Sequence, residues 1–221
     1  MKWPWLFAAI LAPVLTASGQ VETAGAPVIQ VDFSNPDLSP SHWTLIIHSD
    51  GSGHFRSERN VSPSTRSQGI EAPSVDRDVQ LSAEFAGRVF QMAQSHRLFQ
   101  TECESHMKVA FQGWKKLSYR GPGGEGSCEF NFSRDKEIQA LGESLVAVAE
   151  TIVEGARLET LLQHDPLGLD HETEYLVEAA GDGRVQQICA IRGILERLAG
   201  DDAVMERVRK RARILLARAE G

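Results

Sequence analysis

Two cysteines, Cys103 and Cys128, constrain this chain more than any other pair of residues. The first follows an amphipathic helical pattern and the second opens a strand-like alternation. A bridge between them ties the end of a helix to the second strand of a hairpin. Closing a loop of this size removes denatured-state entropy equivalent to about 3.5 kcal/mol, a large share of a small domain's net stability. A bridge also requires an oxidising compartment.

The first residues supply one. Met1-Lys2 is a short positive start, Trp3 to Leu15 an apolar run, and Thr16-Ala17-Ser18-Gly19 a small-residue exit. Residues 1–19 therefore read as a signal peptide cleaved after Gly19, which makes the mature protein secreted or periplasmic. The apolar run is shorter than the ~20 residues of a spanning helix and contains Pro4 and Pro13, so no transmembrane span is expected after cleavage. The third cysteine, Cys189, sits in an apolar helical pattern with Val185, Ile188, Ile191 and Leu195 and reads as a small buried hydrophobe.

Composition excludes one class of partner. A formal net charge of -7 and a pI near 5.5 oppose a whole-surface affinity for nucleic acid, which needs clustered positive charge.

Residues 20–42 form a Pro-punctuated leader or linker, in which Val28, Ile29, Val31 and Phe33 lay one edge strand. Trp43 to His48 alternate into Asp50-Gly51, and Phe55 starts the return strand, so this is a hairpin. Leu81, Phe85, Val89, Met92 and His96 recur at helical spacing and predict a helix from about Asp78 to Arg97. A second hairpin runs from Lys108 to Phe132 around GPGGEGS, and a long helix from Asp135 to Gln163. Residues 43–163 are thus expected to form an α+β domain: an antiparallel sheet of about four strands in ββαββα order, covered by two helices. Residues 167–221 are expected to form a three-helix appendage.

The strand WTLIIHSDGSG, followed by a return strand, a helix and a second hairpin, resembles uncharacterised exported bacterial α+β domains that open with the same strand and Asp-Gly turn. The resemblance covers about residues 43–160. It implies a fold and a compartment and brings no activity with it.

Candidate chemistry is sparse. Gly121, Gly123 and Gly126 fit GxGxxG, but they join two strands, whereas a dinucleotide fingerprint needs a helix N-terminus. Ser105 to Lys108 fits SxxK without the partner motifs of penicillin-recognising enzymes. Cys103 and His106 lack the CxxCH of haem attachment. His164, Asp165, Asp170, His171 and Glu172 form the densest set of possible metal ligands, though without a rigid HxxxH or CxxC pair. The blander account is a helix junction with Asp170 as N-cap. Asn60 and Asn131 stand in N-glycosylation sequons. Arg207, Arg209, Lys210, Arg211, Arg213 and Arg218 make the last helix basic, either as an interaction stripe or as a solvated face beside the helix C-terminus.

No cofactor is implied. The leading expectation is an exported, non-catalytic module that binds a protein or cell-envelope component through the sheet face carrying Trp114 and Lys116 and through the basic last helix. The competing one is a hydrolase whose site forms only in three dimensions, with His106, His164 and His171 as first candidates; it requires a pocket with two or more titratable groups in hydrogen-bond reach.

Overall fold

A computed structural model describes residues 25–58 and 73–219. The signal-like stretch 1–19, the start of the leader and the Asn60 sequon lie outside the described residues. Alternation of apolar and polar side chains lays down six strands: β1 (Val28–Ser34), β2 (His42–His48), β3 (Ser52–Ser57), β4 (Val75–Gln80), β5 (Trp114–Gly121) and β6 (Gly124–Phe130). They form one antiparallel sheet in the order β4-β3-β2-β1-β5-β6. The helices are α1 (Ala83–Ser95), α2 (Lys136–His164), α3 (Gly168–Asp182), α4 (Arg192–Gly200) and α5 (Glu206–Arg218).

The protein is therefore α+β with an antiparallel sheet, but the sheet has six strands instead of about four. Two differences produce the extra pair. Residues Val28–Ser34, expected as an edge strand of a leader, pair with β2 on one side and β5 on the other and lie inside the sheet. Residues Val75–Gln80, expected partly as the start of a helix, pair with β3. Helix α1 starts only after Ser82, whose hydroxyl accepts a hydrogen bond from the Phe85 N–H at 3.2 Å.

One face of the sheet is dry. Ile29, Val31, Phe33, Trp43, Leu45, Ile47, Phe55, Leu117, Tyr119 and Phe130 point into a core with α1 and the first two thirds of α2. A second core gathers Leu158 of α2 with α3, α4 and α5, so α2 belongs to both. No helix among the described residues is long and apolar enough to cross a membrane.

Cys103 and Cys128 are bridged, with 5.7 Å between their α-carbons. The bridge pins the stretch after α1 beside β6. That approach is close: a β-carbon at Gly126 would overlap the Leu98 carbonyl oxygen. Glycine is the residue that permits it.

Candidate functional site

The other face of the sheet is open to solvent, and opposite charges stand next to each other along it. In register, Lys116 of β5 lies between Asp32 of β1 and Glu129 of β6. On β3 and β4, His54 faces Asp76 at 3.0 Å and Asp78 at 2.9 Å, and the bond to Asp78 is the main cause of its raised pKa. Such cross-strand pairs offset much of the charge on this face. A depression of about 590 Å³ on β1, β5 and β6 is lined by Gln30, Lys116, Ser118, Arg120, Glu125 and Ser127 among others. No histidine lines it.

One corner of this face differs. The segment from Cys103 into β5 has no regular backbone pattern, yet it is tied down along its length. The Ser105 N–H donates to the Phe132 carbonyl at 2.9 Å. Glu104 accepts from the backbone N–H groups of His106 and Asn131 at 3.0 and 2.6 Å. Burial works against the Glu104 carboxylate, but these donors and the Phe132 N–H outweigh it and hold its pKa below the ordinary carboxylate range. The Asn131 side chain accepts from the Gln112 N–H at 2.6 Å and donates to the Ala110 carbonyl at 3.3 Å. It braces the segment with both ends of its amide, which sets a structural role beside its place in a sequon. Lys115, inside the sheet and only 3 % exposed, donates to the Gly113 and Asn131 carbonyls at 3.0 Å each, and burial lowers its pKa.

What this scaffold presents is apolar. Met107, Phe111 and Trp114 are 49 %, 46 % and 41 % exposed, and the Phe111 and Trp114 rings meet edge to face at 6.4 Å. Trp114 and Lys116 lie on the open face, as the alternation of β5 predicts.

The cations of the basic last helix are mostly paired, although Arg207, Lys210, Arg213 and Arg218 are exposed. Arg207 reaches Asp170 at 2.6 Å, and Arg211 reaches Asp170 at 2.7 Å and Glu174 at 3.2 Å, tying α5 to α3. Arg209 pairs with Asp202 and with Glu206, Arg213 with Glu206 at 3.4 Å, and Arg218 donates to the Val177 carbonyl at 3.0 Å. Most of the stripe's charge is thus compensated within the appendage, and Lys210 is exposed to solvent.

The expected metal ligands are not brought together. Asp170 is engaged by two arginines and lies in the first turn of α3, not at its N-cap, which is Leu167; the Asp165 carboxylate accepts from the Gly168 N–H at 3.3 Å. His164 and His171 are exposed at the α2–α3 turn, and His106 pairs with Glu102 at 2.7 Å on the far segment.

A different trio does converge. His96, Asp135 and Glu137 place ligating atoms within 4.8 Å of one another, the one such group among the described residues. His96 Nε2 lies 3.1 Å from Asp135 and 3.7 Å from Glu137, while Nδ1 faces the Met92 carbonyl at 3.1 Å. Three such donors suit a divalent cation. The same contacts have a sufficient structural purpose: Asp135 Oδ1 accepts from the Glu137 and Ile138 N–H groups and caps α2, leaving Oδ2 for His96. The helix N-terminus is already positive there, which favours the carboxylates and opposes an added cation. Sequence reading missed this trio because its members join only when the end of α1 meets the start of α2.

No protein-family model matches the chain, and no curated protein is significantly similar to it.

Proposed function

We propose that this protein is an exported, non-catalytic binding module that engages a protein or cell-envelope partner through the corner of the open sheet face around Phe111, Trp114 and Lys116. The observation that carries the reading is the exposed Phe111–Trp114 pair on a segment held by a disulfide and by both ends of the Asn131 amide. Exposed aromatic rings on a rigid support lose little conformational entropy on binding, which is why such residues anchor interfaces. Lys116 at the rim adds a charge that can select among partners. Of the histidines considered for hydrolysis, His106 pairs with Glu102, and His164 and His171 are exposed at the α2–α3 turn.

The test is site-specific photo-crosslinking in the native host. A crosslinker at Phe111 or Trp114 should give a discrete adduct that Lys116→Glu diminishes, while one at the more exposed Leu167, at the α2–α3 turn, should not. Adducts of equal yield at Leu167, or none at the aromatic corner, overturn the reading. Intact mass of the exported form tests the compartment in the same preparation: a mature N-terminus after Gly19 is expected, and a retained Met1 removes the export half.

A further inference from the structure

The seam between α2 and α3, away from the aromatic corner, carries more acid than its cations neutralise. Glu154 of α2 is 2 % exposed, and its Oε1 takes Arg157 Nη1 at 3.0 Å. The same Nη1 reaches Glu172 Oε1 of α3 at 3.4 Å. One turn back on α2, Glu150 accepts from the Tyr175 hydroxyl at 3.4 Å. Arg184, in the turn after α3, lies 5.0 Å over the Tyr175 ring but is itself held by Asp182 at 2.8 Å and Glu178 at 3.9 Å. Three carboxyl groups therefore crowd one guanidinium, that of Arg157, whose Nη1 is shared between Glu154 and Glu172. Of the cations on elements packed against α2, Arg77 of β4 is engaged by Glu159 at 2.5 Å and Arg192 of α4 by Glu196 at 3.9 Å; on α3, Glu174 is engaged by Arg211 at 3.2 Å and Asp170 by Arg207 and Arg211.

Within this seam two buried atoms lack a partner among the described residues, Glu154 Oε2 and Arg157 Nε. Glu154 Oε2 is buried and receives no hydrogen bond from any donor among the described residues. A bare carboxylate oxygen in that position is far more costly than a neutral acid. Protonation removes one unit of the excess charge and makes Glu154 a donor beside an acceptor, the Glu172 carboxylate that shares Arg157 Nη1 with it.

We propose that Glu154 is kept as a neutral carboxylic acid that donates its proton to Glu172, and that this proton latches α3, with the helices that follow it, onto α2. Burial first, and the bond to Glu172 second, push the Glu154 pKa up to about 9 against the opposing pull of Arg157. Burial likewise raises that of Glu150. The sign follows from linkage. Between the ordinary carboxyl value of 4.5 and about 9 the folded chain holds a proton that the unfolded chain has lost. The latch is fully stabilising below that window, weakens as pH rises through it, and changes no further above it.

Glu154→Gln mimics the protonated acid, since its amide can donate to Glu172 and accept from Arg157. Urea unfolding from pH 5 to pH 9 should show the wild-type folding equilibrium falling by up to about tenfold per pH unit relative to Glu154→Gln, with the variant the more stable protein at pH 8. Parallel pH profiles for the two proteins overturn the proposal. Should the variant fail to fold, carbon NMR of the Glu154 carboxyl in the wild-type chain decides: a titration well above the ordinary carboxyl range supports the latch, and one near 4.5 ends it.

Discussion

Arg97, Leu98 and Phe99 hold φ angles of 55°, 58° and 65°, three successive non-glycine residues in left-handed backbone. Each costs about 1–2 kcal/mol against the right-handed form. The run persists because Phe99 is fully buried and the chain must turn sharply from α1 onto the flank of β6. Arg97 is exposed, so its side chain contributes little packing to offset its strain. Replacing it with glycine removes the left-handed penalty but adds about 0.5–1 kcal/mol of denatured-state freedom. The first effect wins. Arg97→Gly is expected to stabilise the protein by roughly 0.5–1 kcal/mol, read as a higher urea midpoint at unchanged m-value. A lowered midpoint would mean that the turn is not strained at Arg97.

At the scale of elements, the disulfide protects an edge as well as closing a loop. β6 is the last strand of the sheet, and the segment from Leu98 to Ser105 lies along its outer side. Gln100 donates to the Glu125 carbonyl at 2.5 Å, and Ser105 to that of Phe132 at 2.9 Å. Uncovered strand edges invite pairing with other chains. Replacing both cysteines with serine should therefore lower stability by about 2–4 kcal/mol and promote concentration-dependent association, seen by sedimentation. A double variant that loses stability yet remains monomeric would confine the bridge to loop closure. The two hairpins and α2 were legible in the sequence because their signals are local: alternation, an Asp-Gly turn, a long apolar stripe. β1 was legible as a strand but not as an interior one, since its position depends on pairing with β5, far along the chain. β4 was obscured because Asp76, Arg77 and Asp78 interrupt its apolar signal, leaving Val75 and Val79 buried. Of the candidate sites, Trp114 and Lys116 followed from the period of β5 alone. The His96 trio and the Glu154 seam did not, because each is assembled from side chains on different helices that no spacing rule connects.

The whole molecule is built on α2, which lends one stretch of its length to the sheet core and the rest to the helical core. Two separable units would unfold separately, but the junction is knitted. Ser82, ahead of α1, donates its N–H to the Gln187 side chain at 2.8 Å. Thr151 of α2 donates its hydroxyl to the Gln186 carbonyl at 2.6 Å, and the Gln186 N–H donates back to that hydroxyl at 3.0 Å. At Gly155 the helix carries no side chain, and Ile191 fills the space so closely that an added β-carbon would overlap its Cγ2. These contacts predict one cooperative transition: tryptophan fluorescence, which follows Trp43 in the sheet core and Trp114 on its open face, and far-ultraviolet circular dichroism, which follows the helices, should coincide. Gly155→Ala tests the junction against a built-in control. In an open helical position the change gains about 0.5–1 kcal/mol, as expected for Gly87→Ala in α1, where nothing lies within 4 Å of the new atom. At Gly155 overpacking by about 1–3 kcal/mol reverses that gain. The Gly155 variant should be the less stable of the two, and its fluorescence and dichroism transitions should separate, because the added methyl pushes Ile191 and the helical unit off α2 while the sheet core keeps its own packing. Equal gains from both substitutions would show that the two cores meet loosely, and would leave the protein as two domains on a shared helix.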